Sequence, residues 1–256
     1  PADRHGLANL VEHTLSKGTS RFDGRGLADA FDAAGIQWGT STGRQSTLIR
    51  AICLPEFTER AIELVAEMLC RPTFPEEAIR VAIELAQQDL KQLEDDPGDL
   101  VRLMIHRMTL GPVLGHHIGG DAESLARVTP DDIRSHWQRY YHAGRLQVAV
   151  AGAVNVDQVA DCLERNFAGF GAAQRDGRSA IPVSFEPRRE HRHKELKQEY
   201  ISIAMPGTPR DGADFAAEQV LLSVLSGGMS GRLFTEVREK QGLVYWVGAW
   251  HEQPRG

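Results

Sequence analysis

From residue 171 to about 195 the chain holds no apolar period, because Gly, Pro, Arg, Ser and Glu dominate it. Such a composition cannot bury enough surface to form a packed element. A chain with this break must fold on either side of it. The expected division is a complete domain over 1–170, a linker over 171–197 and the opening part of a second domain over 198–256. Helical and alternating periods are mixed on both sides, so the fold class expected is α+β, built as α/β layers.

The first half opens with an amphipathic run in which Leu7, Leu10, Val11 and Leu15 share a face, and Gly18 is placed to stop it. A second helix is expected over 24–35, followed by strands over 36–42 and 46–54 around a turn at Gly43 and Arg44. Helical periods recur over 56–69, 75–94 and 98–108, and a glycine-rich loop over 111–120 carries His116 and His117. Thr129 and Pro130 mark a capped helix start leading to Tyr141. A buried strand is expected over 146–151 and a helix over 156–167. Beyond the linker the pattern predicts a strand over 199–205 and a helix over 215–225. A glycine-rich bend at 226–230 follows, then a helix to Lys240 and a strand over 243–250.

On the first helix Asn9, Glu12 and His13 fall at i, i+3 and i+4 and share one face. That is the spacing of H-x-x-E-H, where two imidazoles one turn apart hold zinc and the carboxylate takes a proton from the metal-bound water. Here asparagine stands in the place of the first histidine. His5 cannot replace it from within one helix, since it lies about 12 Å along the axis from His13. It reads as an exposed residue at the cap, and His116 and His117 read as part of a solvated loop.

Cys53, Cys70 and Cys162 are widely spaced in apolar stretches, which fits buried thiols and a reducing, cytoplasmic setting better than a disulfide or a zinc knuckle. A net charge of −6 gives no broad electrostatic reason to bind nucleic acid. No apolar run is long enough to span a membrane.

Gly6-Leu-Ala-Asn-Leu-Val-Glu-His-Thr-Leu-Ser-Lys-Gly-Thr19 resembles the metal helix of the M16 metallopeptidases, the family of pitrilysin, insulin-degrading enzyme and mitochondrial processing peptidase. Leu93-Glu-Asp-Asp-Pro97 is similar to the end of that family's distal-ligand helix. Leu114-Gly-His-His-Ile-Gly-Gly120 and Thr129-Pro-Asp-Asp132 follow in the family's order, as does the strand within 141–152. In the second half the resemblance runs through Gly227-Gly-Met-Ser-Gly-Arg-Leu-Phe234 and Glu236-Val-Arg-Glu-Lys-Gln-Gly-Leu-Val-Tyr245. It implies a clam-shell of two homologous domains, here with the second incomplete. A peptide substrate would lie along a strand edge between the halves.

Residue by residue, the resemblance implies Glu12 as general base and His13 as a metal ligand, with Asn9 in a ligand position that is weak or lost. Alignment on Glu94 to Pro97 sets Asp89 in the distal glutamate's position and Ala82 where a further acidic residue is expected; Glu84 faces another side of its helix. Zinc is the only metal implied, held weakly or not at all. Arg238 and Tyr245 match a pair that reaches toward the bound peptide. The reading is a non-catalytic or barely catalytic subunit that binds peptide in a homo- or heterodimer with an M16 subunit carrying an intact motif. An active zinc metalloendopeptidase and a purely structural scaffold are the alternatives.

Overall fold

The protein is described by a computed structural model over residues 4–171, 181 and 185–252. Its first helix, α1 (Leu7–Leu15), starts after Gly6, whose φ of 89° suits the residue without a Cβ. The apolar side of α1, Leu7, Leu10, Val11 and Leu15, is buried as its spacing predicts. α2 (Gly24–Ala33) begins where the Asp23 carboxylate accepts the Gly26 amide at 2.7 Å, and ends at Gly35 with φ 60°. It leads into an antiparallel hairpin of β1 (Gln37–Thr42) and β2 (Thr47–Ile52), with Gly39 opposite Arg50.

A short 3₁₀ turn precedes α3 (Thr58–Cys70), and the long α4 (Glu76–Asp95) and α5 (Pro97–Leu114) follow. α5 is kinked at Gly111, which has φ 72°, and at the Pro112 that follows, so the helix reaches into the expected loop before ending. α6 (Ala122–Ala126) is one short turn, and α7 (Pro130–Tyr140) opens on a reciprocal capping box between Thr129 and Asp132. α8 (Val156–Phe167), α9 (Phe215–Ser226) and a π-helical turn (Phe234–Glu239) complete the elements.

The core lies where α1 packs on α4, α7 and β1. Leu10, Leu15, Leu27, Phe31, Leu64, Met68, Ile79 and Ile133 are fully enclosed there. Each such side chain stabilises the fold by roughly 1.5–3 kcal/mol. Trp38 of β1 stacks on Phe31 at 4.8 Å between ring centres, which fixes the hairpin against the helices. Glu67 is one of the charges buried in this layer. It is 1% exposed and accepts from Ser20 Oγ at 2.9 Å, the Arg21 amide at 3.1 Å and Arg71 Nη1 at 2.9 Å. The turn after α1 is thereby pinned to α3.

Several expectations are corrected. Among the described residues the sheet has only β1 and β2. Segments 146–151, 199–205 and 243–250 carry no strand pairing, and Val148, Val150, Ile201, Ile203, Met205, Leu243 and Trp250 are exposed. A run of apolar residues states which side chains favour burial; it does not supply the neighbouring strand that must take up the backbone N–H and C=O groups. α9 forms as expected but buries none of its residues, and the helix toward Lys240 is a π-type turn.

Of the thiols only Cys162 is fully buried, while Cys53 and Cys70 are half-buried; none is in a disulfide. Burial raises the Cys70 thiol to about 11. The expected linker lies partly outside the described residues; 185–197 is irregular and mostly exposed. Arg192 pairs with Glu94 at 2.6 Å and the Lys194 amine binds the Glu94 carbonyl, so that basic stretch rests on the end of α4 rather than standing free in solvent. No helix among the described residues is long and apolar enough to cross a membrane.

Candidate functional site

α1 turns Glu12 inward and His13 outward, as adjacent helical residues 100° apart must be. Glu12 is 5% exposed, and its carboxylate accepts from the Thr40 hydroxyl and, at 3.3 Å, from the Thr42 hydroxyl. The alternation of β1 sets these threonines on the face that also carries Trp38. Beside them the Tyr141 hydroxyl bonds Thr47 Oγ1 of β2 at 3.3 Å. Burial raises the Tyr141 pKa, the Thr47 contact lowers it and the nearby Glu12 charge raises it, with a net upward shift. Glu12 therefore sits in a hydroxyl-lined pocket that joins α1 to the hairpin.

His13 lies at the rim of this pocket. Its Nε2 is 4.0 Å from Glu12 Oε2 and its side chain is 57% exposed. Asn9 is half-buried one turn earlier, and Asp89 is exposed on α4. Zinc in a catalytic site draws three protein donors to about 2.0–2.2 Å from one point. Among the described residues Glu12, His13 and Asp89 do not gather with donor atoms within 4.8 Å of one another. Asn9 offers a carboxamide oxygen where an imidazole is needed. With asparagine at position 9, His13 and Asp89 supply only two of the three strong donors that a catalytic zinc ion needs.

In the second half the π-helical turn and a reversal at Gly242 (φ 62°) bring Tyr245 back over Arg238. The reversal is held by the Gly242 amide on the Arg238 carbonyl at 3.0 Å and the Leu243 amide on the Val237 carbonyl at 3.1 Å. The Arg238 guanidinium carbon is 4.6 Å from the Phe234 ring centre and 5.3 Å from that of Tyr245. Tyr245 is 87% exposed, so its hydroxyl is presented to solvent. Among the described residues no hydrogen bond joins this pair to Asn9, Glu12 or His13.

Reading the sequence did not find Thr40, Thr42 and Tyr141 as neighbours of Glu12, nor Glu67. The available signal was in β1, where Thr40 and Thr42 repeat on the Trp38 side.

The family model described as "Insulinase (Peptidase family M16)" matches residues 1–121, and that described as "Peptidase M16 inactive domain" matches residues 127–256. The Bacillus subtilis protein named "Uncharacterized zinc protease YmxG" is 31% identical over 248 residues, covering 96% of this chain and 60% of that protein. A Rickettsia felis protein named "Uncharacterized zinc protease" is 28% identical over 252 residues, covering 98% of this chain and 61% of its own length. The chain thus spans about 60% of the curated relatives it matches. Among solved structures, a peptidase M16 inactive domain from Pseudomonas fluorescens superposes with a TM-score of 0.74 at 22% identity over 94% of this chain and 60% of that one. Pitrilysin gives 0.60 at 16% identity over 72% of this chain and 20% of its own.

Proposed function

Because the chain belongs to peptidase family M16, we propose that it is a non-catalytic or barely catalytic peptide-binding subunit that completes the site of a partner carrying an intact zinc motif. The observation that carries this reading is a contrast between the two halves. Arg238 and Tyr245 stand together with the phenol exposed, whereas Asn9 offers a carboxamide where a zinc ligand set needs an imidazole. A guanidinium binds a peptide carbonyl or carboxylate by charge-assisted hydrogen bonds, and a phenol donates to a developing oxyanion. Such a pair needs no metal of its own. The metal and its activated water then belong to the partner.

Peptide would be held in extended form. The β1–β2 hairpin has no third strand among the described residues, so its outer edge offers backbone N–H and C=O groups for strand addition. Glu12 holds α1 on this hairpin through Thr40 and Thr42 and serves as a positioning residue there. Division into two homologous units around the segment 171–197 belongs to the same reading.

The test is complementation. Adding the protein to an M16 subunit with an intact H-x-x-E-H motif should raise peptide hydrolysis to a plateau at equal amounts of the two. Arg238→Ala should bind the partner without raising the rate. No stimulation by the wild type across such partners would rule the proposal out.

A second reading, an active zinc endopeptidase, is favoured by the zinc-protease names of the relatives. In it Glu12 is the general base and Arg238 and Tyr245 stabilise the transition state. It differs in requiring activity from the isolated protein.

A further inference from the structure

Away from the Glu12 pocket, three side chains with metal-binding atoms converge where the loop after α5 meets the start of α1. One atom from each of His5, His116 and Asp121 lies within 4.8 Å of the other two. The two imidazoles stack with ring centres 3.6 Å apart and 22° between their planes. All three residues are half-buried.

We propose that His5, His116 and Asp121 form a binding site for a divalent transition-metal ion of the zinc type, at the foot of α1 and distinct from the Asn9 and His13 face. The backbone is shaped to bring them together. Gly6 has φ 89° and Gly120 φ 93°; a Cβ on Gly6 would stand 2.6 Å from the Gly119 carbonyl oxygen, and one on Gly120 2.5 Å from that of His5. Only glycine at both positions lets the loop close on the helix start and set His116 beside His5.

Asp121 is also oriented by a second contact. Asp121 accepts from the Ser124 amide at 2.8 Å and from the Ser124 hydroxyl at 2.9 Å as it caps α6. A carboxylate has about four acceptor positions, so these bonds leave room for a cation.

Two imidazoles and one carboxylate are donor types that suit zinc, cobalt or nickel rather than magnesium or calcium. A bound ion would clamp the α5–α6 loop onto the helix that carries Glu12. This inference does not rest on the peptide-binding reading above.

The test is a calorimetric titration of the chelator-stripped protein with zinc at neutral pH, with cobalt(II) absorption as a second probe. One equivalent should bind, and His5→Gln, His116→Ala and Asp121→Asn should each lower affinity by at least about tenfold. His13→Ala should leave it unchanged. Asp121→Asn keeps an acceptor for the α6 cap, so its loss of binding reports the ligand rather than misfolding, which unchanged far-ultraviolet circular dichroism verifies. Absence of binding, affinity that survives all three substitutions, or affinity that falls with His13→Ala overturns the proposal.

Discussion

The guanidinium carbon of Arg238 lies 5.3 Å from the ring centre of Tyr245, held there by the chain reversal at Gly242. The stack orders an arginine on a surface where it would otherwise sample many rotamers, at a gain of about 0.5–1 kcal/mol for an exposed cation–π pair.

Because the pair lies at the surface, with Tyr245 exposed and Arg238 half-buried, its removal should spare the fold and affect function. Tyr245→Phe, which keeps the ring, is expected to change unfolding free energy by less than about 0.5 kcal/mol, and Arg238→Ala, which removes the cation, by about 0.5–1 kcal/mol. In the complemented enzyme, losing the phenol donor should lower kcat by about 10²-fold, the scale for one oxyanion donor. Denaturant unfolding and single-turnover peptide cleavage measure the two effects separately.

Glu12 predicts the reverse. Its carboxylate is the buried acceptor for Thr40 and Thr42, so Glu12→Ala strands two hydroxyls against α1 and should cost about 2–3 kcal/mol. Glu12→Gln keeps one acceptor oxygen and should cost only about 1 kcal/mol. Urea midpoints at constant slope provide the comparison.

Glu67 should make stability depend on acid. Burial alone would raise its pKa, but hydrogen bonds from Ser20, Arg71 and Thr19 and the Arg71 charge outweigh that, and the folded pKa is lowered. Its contribution is therefore present above the unfolded carboxylate pKa of about 4.3 and is lost as pH falls through the lower folded value. Glu67→Gln should reduce that acid dependence. Glu67→Ala should cost about 3 kcal/mol at neutral pH, since it leaves Ser20 and the Arg21 amide without their acceptor. Thermal melts between pH 3 and 7 are the measurement.

The elements legible in the sequence were those whose signals are local. α1, α2, α7 and α8 follow from apolar spacing, and α7 also from its cap at Thr129; the caps at Asp23 and Asn155 are seen in the structure. The hairpin follows from alternation around Gly43. Segments 146–151, 199–205 and 243–250 differ from expectation because a strand exists only beside another strand, and an apolar run does not supply that neighbour. The same limit applied to the site. The face shared by Asn9, Glu12 and His13 is fixed by helical geometry and could be read directly. The Thr40 and Thr42 contacts span 28 and 30 residues, and the His5 to His116 stack needs the Gly6 and Gly120 backbone to close first. His5 and His116 looked like solvated residues because nothing in either local pattern names the other.

The central claim is that this chain does not cut peptides by itself. It is tested most directly by peptide hydrolysis with the isolated protein in excess zinc, wild type against Glu12→Gln. The expected rates are equal and near background for both proteins. A wild-type rate well above background that Glu12→Gln abolishes would contradict the claim and establish the protein as a peptidase in its own right.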